Sequence, residues 1–323
     1  ALSRGARCVI VGDPRQLRHV SFVSDAAMQE ASSRRELEPI LAATADVRRN
    51  SMFDVAAGVS AVIELDEHFR SLPHIIGFSN RRFYNRRLRL MTMHPGNERH
   101  DAIDVAVVDG HRSEDGVNHA EVGAALDLVD RFIDETDAKA TVGIVSPFRA
   151  QADAVEAAVL ERFDADTIDR CGLRVGTVHG FQGAERDITV VTLSLDDTAG
   201  TRQLRFLQDP NLFNVMVTRA KQRVVLVTSI GDRGALPEGL LKAYWRHSER
   251  PPRPADTGAV PRGWVQELAH RIETFGLRVV PDYPVAGYTV DLSVGEGASA
   301  IGVVCLVHPD GPLAHIDRRL TLR

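Results

Sequence analysis

Short apolar runs alternate along the chain with longer segments in which apolar residues recur every three or four positions. The short runs are rich in β-branched residues, as is typical of strands that are buried on both faces. They lie at residues 8–11, 105–108, 141–145, 189–193 and 224–227. Segments 120–135 and 149–163 have the spacing of amphipathic helices. This alternation predicts an α/β fold in which helices flank a parallel sheet.

The pattern changes near residue 232. Segment 233–262 is rich in proline and glycine, which predicts a linker around one short helix at 240–247. Segment 263–323 then predicts a small α/β unit, with a helix at 263–275 and strands near 277–280, 288–294 and 301–307. The chain is therefore expected to contain more than one domain.

Composition narrows the class of protein. The chain has 323 residues, of which 44% are hydrophobic and 26% charged, so it can fill a sizeable core and is not disordered. No apolar run reaches the roughly 18 residues of a membrane span, so no membrane partner is expected. The net charge is −5, so any nucleic-acid site must be local. The widely spaced Cys8, Cys171 and Cys305 predict reduced core thiols in a cytoplasmic protein.

The lysines exclude one common nucleotide site. Of the 39 basic residues only three are lysine, namely Lys139, Lys221 and Lys242. None of them stands in the Gly-Lys-Ser/Thr sequence through which a P-loop lysine reaches the β- and γ-phosphates. The sequence therefore contains no P-loop.

The first polar cluster is the turn Gly12-Asp13-Pro14, which is followed by Gln16. A turn at the end of a strand projects polar groups from the carboxyl edge of the sheet, where α/β proteins bind ligands. The Gln16 amide has both donors and an acceptor, so it can contact a phosphate oxygen and an attacking water. An ordinary turn with a solvated glutamine explains the same residues equally well.

The second cluster is basic. Arg70 offers a planar fork suited to phosphate, although a surface salt bridge to Asp66 or Glu67 is an equal alternative. Residues 81–89 contain five arginines and two aromatic residues, which suits phosphate contacts and base stacking. A solvated basic helix end explains this run nearly as well.

The third cluster lies between two predicted strands, at residues 175–187. Gly180 and Gly183 permit a ligand to approach the backbone closely. Polar groups are dense around them, from Thr177, His179, Gln182 and Glu185. A lone histidine is more often a structural residue, but this polar setting favours a binding loop.

The fourth cluster ends at Arg219. Leu212, Val215 and Met216 have the spacing of one helix face, and Arg219 follows that helix just before the strand at 224–227. We expect Arg219 at the same sheet edge as the other clusters. A mobile arginine there can neutralise charge on a transferred phosphoryl group.

Together these segments resemble, in order, the motifs of superfamily 1 helicases. The resembling segments are 12–17 (motif III), 67–71 (the next arginine motif), 145–151 (motif IV), 177–187 (motif V) and 214–220 (motif VI). Asn118 and Glu121 also fit a pattern of the 5′-to-3′ branch, which includes the nonsense-mediated-decay helicase. The resemblance covers residues 8–230 and implies RecA-like domains, ATP and Mg²⁺ as cofactors, and single-stranded DNA or RNA as partner, with DNA favoured.

The resemblance also implies a role for particular residues. Those placed at the reacting phosphate are Gln16, Arg70 and, as arginine finger, Arg219. Those placed around the nucleotide are Asp13, Gly183 and Glu185. Those placed on the single strand are Ser146, Arg149, Thr177 and His179.

Motifs I and II, which hold the β-phosphate and Mg²⁺ in that family, are absent. The chain is therefore expected to be the C-terminal piece of a bacterial helicase, inactive as an ATPase without its N-terminal RecA-like domain. Residues 1–58 would end that first domain and form a connector, 59–232 would form the second RecA-like domain, and 233–262 the linker. The alternative function is an ATP-independent nucleic-acid binding or nuclease module.

Residues 263–323 resemble the small very-short-patch-repair endonuclease type of domain, which has a restriction-endonuclease-like fold. Such sites hold Mg²⁺ between carboxylates on neighbouring strands. Asp291 fits one of these positions and Glu267 is a weak second candidate, but residues 303–306 contain no carboxylate. We therefore expect no working metal site and a degenerate nuclease-like domain.

Overall fold

A computed structural model describes residues 7–18, 23–250, 257–261 and 263–305. The helices are α1 (Asp25–Arg34), α2 (Pro39–Thr44), α3 (Met52–Ala57), α4 (Pro73–Arg82), α5 (His119–Thr136), α6 (Arg149–Arg162), α7 (Ala165–Arg170), α8 (Thr201–Phe206), α9 (Pro210–Val217), α10 (Leu240–Ser248) and α11 (Trp264–Glu273). The strands are β1 (Glu67–His68), β2 (Arg89–Leu90), β3 (Ile103–Val107), β4 (Val142–Ser146), β5 (Arg174–Thr177), β6 (Arg186–Asp196), β7 (Ala220–Ser229), β8 (Val279–Val285), β9 (Tyr288–Val294) and β10 (Ile301–Val303).

The central sheet has five parallel strands in the order β3-β7-β6-β4-β5. Val190 of β6 lies opposite Ile144 of β4 on one side and Val225 of β7 on the other. The three central strands are buried on both faces because helices cover both, which explains their continuous apolar runs. The predicted α/β fold with a parallel sheet flanked by helices is confirmed.

Two hydrophobic cores fill the space between the sheet and its helices. One contains Phe78 of α4, Phe213 of α9 and Tyr244 of α10. The other, on the opposite face, contains Val129 of α5 and Val155 of α6. Packed helices therefore cover both faces of the sheet.

The strand predicted at residues 8–11 is not formed. Within the described part of the chain this segment pairs with no other strand, and Val9 and Val11 are 88% and 85% exposed. A β-branched run becomes a strand only when a neighbour pairs with its backbone, so the local pattern alone was insufficient. Cys8 is also exposed, whereas Cys171 and Cys305 are buried free thiols. The prediction of three core thiols was therefore wrong for Cys8.

The small C-terminal unit consists of α11 packed on an antiparallel sheet in the order β10-β9-β8. It contacts the larger domain through Arg278, whose guanidinium lies 3.5 Å from the buried Glu98 carboxylate. The predicted small α/β unit is thus present, while its likeness to an endonuclease stays a prediction. Among the described residues, no helix combines the length and apolar character that crossing a membrane requires.

Candidate functional site: polar clusters at two edges of one sheet

The predicted site residues lie at opposite edges of the sheet. Glu185 immediately precedes β6 and Arg219 immediately precedes β7, so both lie at the amino edge. Ser146 and Thr177 are the last residues of β4 and β5, so they lie at the carboxyl edge. Because all five strands are parallel, the expectation that all clusters share the carboxyl edge was wrong. The loop 178–185 runs back from the end of β5 to the start of β6, and spacing along the chain does not reveal that return.

We call the first group the amino-edge cluster: Asp13, Gln16, Arg70, Tyr84, Glu185, Asn214, Arg219 and Lys221. Glu185 lies between two cations, with its Oε2 2.5 Å from Nε of Arg70 and its Oε1 3.1 Å from Nζ of Lys221. Partial burial raises the pKa of Glu185, but Lys221 and Arg70 outweigh it and hold the pKa below its usual value. Two half-exposed cations share one carboxylate, which leaves an excess of positive charge for an anion.

Arg70 therefore does not form the alternative salt bridge considered from the sequence. Asp66 and Glu67 both pair with Arg89, whose Nη2 lies 3.0 Å from each carboxylate. This leaves Arg70 to reach across to Glu185, on a segment more than a hundred residues later. Only the fold could assign these partners, because three carboxylates compete for two arginines.

Arg219 is buried and hydrogen-bonded to the backbone. Its side chain is among the largest fully buried ones, with 2% exposure for the residue. Its Nε donates to the carbonyl of Val215 at 3.0 Å and its Nη1 to the carbonyl of Ala184 at 3.4 Å. Burial, reinforced by the charge of Arg70, lowers the pKa of Arg219 to about 10, so the guanidinium stays charged at neutral pH. The role of Arg219 as an arginine finger stays a prediction, and in this conformation its guanidinium contacts backbone carbonyls.

The turn at Asp13 is organised by the Asp13 carboxylate. Its Oδ1 accepts from the backbone N–H of Arg15 at 2.8 Å. Its Oδ2 accepts from Nε2 of Gln16 at 2.9 Å and from the hydroxyl of Tyr84 at 2.8 Å. Gln16 is thus half-buried and tied to its own turn, rather than a free solvated side chain.

Three amide side chains attach this turn to the larger domain. Nδ2 of Asn214 donates to the carbonyl of Arg15 at 2.8 Å, and Nδ2 of Asn211 donates to that of Pro14 at 3.3 Å. Nε2 of Gln182 donates to the carbonyl of Leu17 at 2.9 Å. These amides bring the turn to the same edge as Arg219.

Sequence reasoning missed three members of this cluster, namely Tyr84, Asn214 and Lys221. The pattern of residues 81–89 predicts base stacking for Tyr84, but its hydroxyl contacts Asp13 and Asn214, and burial raises its pKa. Asn214 stood inside the segment that resembles motif VI, yet its spacing did not reveal a partner 199 residues earlier. The sequence signal that could have pointed to Lys221 is that the chain contains only three lysines.

We call the second group the carboxyl-edge cluster: Ser146, Arg149, Thr177 and His179. His179 is exposed, which removes the alternative of a buried structural histidine. Arg149 projects from the start of α6 with a side chain that is 78% exposed. Thr177 is half-buried, and its hydroxyl accepts from the N–H of Gly180 at 3.1 Å. Ser146 is only 1% exposed and its hydroxyl accepts from the N–H of Phe148, so its side chain offers little surface to a strand.

The loop between the two clusters is anchored at its middle. Phe181 is fully buried and holds the loop on the sheet, while the neighbouring Gly180 and Gly183 stay exposed. Gly183 has φ +80°, a left-handed conformation that favours glycine. A Cβ at this position would meet nothing within 4 Å, so open space adjoins the backbone between Gln182 and Glu185.

A buried hydrogen-bond network lies beneath the carboxyl edge of the sheet. Glu121, at 0% exposure, accepts backbone N–H bonds from Ser194, Leu195 and Ser229 at 2.7, 3.2 and 3.2 Å. The Asn118 backbone N–H donates to Gln151 of α6 at 2.8 Å. This network ties the ends of β6 and β7 to α5 and to α6, the helix that carries Arg149.

The weak metal candidates in the C-terminal unit do not form a ligand set. Asp291 accepts a backbone hydrogen bond from the N–H of Cys305 at 2.6 Å, and Glu267 is an exposed residue of α11. In the part of the chain that the structure describes, no three His, Cys, Asp or Glu side chains are grouped so as to hold a metal ion.

Comparison with known proteins assigns the chain to a family. Residues 49–231, more than half of the chain, match the sequence model of the AAA domain family. The chain belongs to this family. The AAA domain so defined includes most of the amino-edge cluster and all of the carboxyl-edge cluster.

Several proteins that are similar to this chain carry helicase names. The chain is 26% identical over 261 residues to "Helicase SEN1" of Saccharomyces cerevisiae, covering 75% of this chain and 10% of that protein. It is 28% identical over 261 residues to "Uncharacterized ATP-dependent helicase MG140" of Mycoplasma genitalium, covering 74% and 22%. It is 27% identical over 252 residues to "Putative helicase mov-10-B.2" of Danio rerio, covering 68% and 24%.

The chain thus spans between a tenth and about a quarter of the length of these relatives. The similarity to the C-terminal region of superfamily 1 helicases that the motifs predicted is confirmed. The 5′-to-3′ branch, the bacterial origin and the domain boundaries stay predictions.

Proposed function

We propose that this chain is the C-terminal motor half of an ATP-dependent helicase or translocase that acts on single-stranded nucleic acid, with DNA favoured over RNA. The observation that carries the proposal is the loop 178–185. At one end it adjoins Thr177 and bears His179, at the exposed carboxyl edge. At the other end it contacts the Asp13 turn through Gln182 and carries Glu185. One loop, held on the sheet by Phe181, therefore connects the carboxyl-edge cluster, which we assign to the nucleic-acid strand, to the amino-edge cluster, which can bind an anion.

The amino-edge cluster fits the terminal phosphates of ATP. Arg70 and Lys221 are half-exposed and share one carboxylate, so a phosphate can compete with Glu185 for them. The buried Arg219 adds a fixed positive charge behind them. Bound ATP would supply the hydrolysable phosphoanhydride, while this chain would contribute charge and, through Gln16, a hydrogen-bonding amide. The Mg²⁺ ligands would lie mostly outside this chain.

The carboxyl-edge cluster fits a nucleic-acid backbone. Arg149 supplies an exposed charge, and the loop after Thr177 supplies a hydroxyl, an imidazole and glycine backbone that a phosphate or sugar can approach. Arg112 stacks over Phe148 at 4.5 Å, which places an aromatic ring next to these polar groups. Contacts of this kind bind strands without strong dependence on base sequence.

The first test measures binding and hydrolysis by the 323-residue chain. We expect it to bind single-stranded oligonucleotides with an affinity that falls as salt rises, by a log-log slope of about 0.7 for each phosphate contact. We expect no ATP hydrolysis above background, with or without DNA. Robust hydrolysis by the chain, or a salt-independent and strongly base-selective affinity, would contradict the proposal.

The second test uses the chain joined to an N-terminal RecA-like domain that carries Gly-Lys-Thr and Asp-Glu motifs. This protein should hydrolyse ATP, and single-stranded DNA should stimulate it. Arg70→Ala should lower the stimulated rate strongly, whereas Arg131→Ala, an exposed position on α5, should leave it unchanged. Equal rates in the two variants would remove the amino-edge cluster from the proposed function.

A further inference from the structure

A second basic surface lies away from both clusters. A groove of about 830 Å³ opens between α4, α10 and the C-terminal unit. We call it the arginine groove; Arg81, Arg82, Arg246 and Arg250 line it, with His74, Phe78 and His247 among the other lining residues. It includes part of the arginine run that the sequence singled out and that the proposed motor does not use. It shares no residue with either cluster.

The positive charge of this groove is not balanced. Arg246 pairs with Glu238 at 2.9 Å, but Arg81, Arg82 and Arg250 have no carboxylate within 4.0 Å among residues 7–18, 23–250, 257–261 and 263–305. The acidic residue that lines the groove, Glu98, is buried and faces Arg278. Arginines clustered without counter-charges repel one another, so an anion that bridges them would be bound favourably.

A neutral histidine positions Arg81. Nε2 of His247 lies 2.9 Å from the carbonyl of His74, which requires the proton on Nε2. Nδ1 of His247 is then an acceptor, and Nη2 of Arg81 donates to it at 2.9 Å. Burial lowers the pKa of His247 to about 4, so the ring is neutral at pH 7. Arg81 is oriented by a partner that does not neutralise its charge.

His74 contributes one buried polar atom, Nε2, that lacks a hydrogen-bond partner among the described residues. Its side chain is 2% exposed, and its Nδ1 accepts from the backbone N–H of Ala102 at 3.1 Å. In the neutral ring the proton therefore lies on Nε2, for which residues 7–18, 23–250, 257–261 and 263–305 provide no hydrogen-bond partner. The Asp101 carboxylate lies 3.2 Å from Nδ1 of His74. If the ring took up a second proton, this carboxylate would compensate its positive charge. A buried donor without an acceptor is costly, and a ligand acceptor would remove the cost.

We propose that the arginine groove binds phosphate groups of a nucleic-acid strand, as a contact separate from the carboxyl-edge cluster. The open groove bears three unbalanced guanidinium groups, which suits successive phosphates of a backbone rather than one enclosed ion. This contact does not require ATP hydrolysis and extends the proposed function by a second nucleic-acid surface.

The test is fluorescence anisotropy of the whole chain with a labelled single-stranded 30-mer over a range of salt. The variant Arg81→Gln/Arg250→Gln should reduce the log-log salt slope by about 1.4, or 0.7 for each lost contact. At 0.1 M salt that corresponds to about 5-fold weaker binding for each contact, hence about 25-fold for the pair. The control Arg35→Gln/Arg131→Gln changes the net charge equally at exposed positions away from the groove and should match the wild type. Equal slopes in the two double variants would overturn the proposal.

Two further arms identify the source of the phosphate. In ¹⁵N-histidine-labelled protein, the Nε2–H signal that His74→Gln removes should shift when the oligonucleotide binds. A shift with millimolar inorganic phosphate that excess oligonucleotide does not displace would overturn the nucleic-acid assignment. Arg149→Ala reports separately on the carboxyl-edge cluster. If only Arg149→Ala weakened binding, the groove proposal would fail and the proposed function would stand. If only Arg81→Gln/Arg250→Gln weakened binding, the groove proposal would stand and the assignment of the nucleic-acid strand to the carboxyl-edge cluster would fail.

Discussion

Glu121 provides a direct test of how the fold holds the carboxyl edge of the sheet. The pairing of β6 with β7 shifts register between Thr192 and Asp196, where Ser194 adopts a left-handed φ of 50°. The N–H groups of Ser194 and Leu195 therefore turn away from the ladder and donate to the Glu121 carboxylate instead. Replacing Glu121 therefore measures how much its hydrogen bonds to these N–H groups contribute to the free energy of unfolding.

The perturbation is Glu121→Gln, which keeps the size of the side chain. Oε2 accepts from one backbone N–H, whereas Oε1 accepts from two backbone N–H groups and from Nδ2 of Asn118 at 3.4 Å. The amide in its better orientation places its NH₂ group against the single N–H of Ser194. An amide nitrogen does not accept a hydrogen bond, whereas a carboxylate oxygen, or the hydroxyl oxygen of the neutral acid, does. One buried donor then loses its acceptor, which costs about 1–3 kcal/mol.

The pH dependence gives the prediction a second, independent readout. Burial raises the pKa of Glu121 to about 8, although the N–H donors oppose this shift. A carboxyl group with a raised pKa stabilises the folded state fully below its unfolded pKa near 4.5, and this contribution is lost as pH rises towards 8. Glutamine does not titrate, so the stability gap between the wild type and the variant should narrow from pH 5 to pH 8.

The assay is urea unfolding at several pH values, followed by the fluorescence of the buried Trp245 in the same domain. Glu156→Gln, at an exposed position on α6, is the matched control and should change the unfolding free energy by less than about 0.5 kcal/mol. A gap no larger than that of the control would refute the hydrogen-bond argument. A gap that widens with pH would show that the N–H donors, not burial, dominate the pKa.

Three further predictions concern the two clusters and the C-terminal unit. Arg219→Ala, in the protein with its N-terminal domain, should lower ATP turnover by about 10³- to 10⁵-fold and nucleotide affinity far less; unchanged turnover in a folded variant would exclude a catalytic role. Tyr84→Phe removes the 2.8 Å bond to Asp13, so amide hydrogen exchange in the turn 13–17 should accelerate, by roughly 10-fold or more for a lost 1.5–3 kcal/mol; Tyr288→Phe is the control, and equal exchange in both would contradict the docking. The chain should leave DNA uncut with Mg²⁺ or Mn²⁺, and metal-dependent cutting that Asp291→Ala abolishes would restore a nuclease site.

Local sequence pattern was sufficient for most elements of the fold. The strand predicted at 224–227 is the centre of β7, and the helix predicted at 120–135 is α5 to within one residue at each end. These elements are buried on their apolar faces by neighbours that the same alternation predicts, so pattern and packing agree. The run 8–11 has the same pattern but no partner strand in the described residues, and it forms none.

The sequence by itself determined the α/β class, the polar residues worth testing and the absence of a P-loop. It also placed Arg70, Glu185 and Arg219 among those residues, because their chemistry can be read from residue type and order. Only the tertiary structure decided which partners they take and at which sheet edge they lie. The connection between two parallel strands returns the chain to the opposite edge of the sheet, so residues that are close in sequence lie far apart. Conversely, Asp13 and Tyr84 are 71 positions apart in sequence and form a hydrogen bond. Partner choice depends on these long-range contacts, which spacing does not encode.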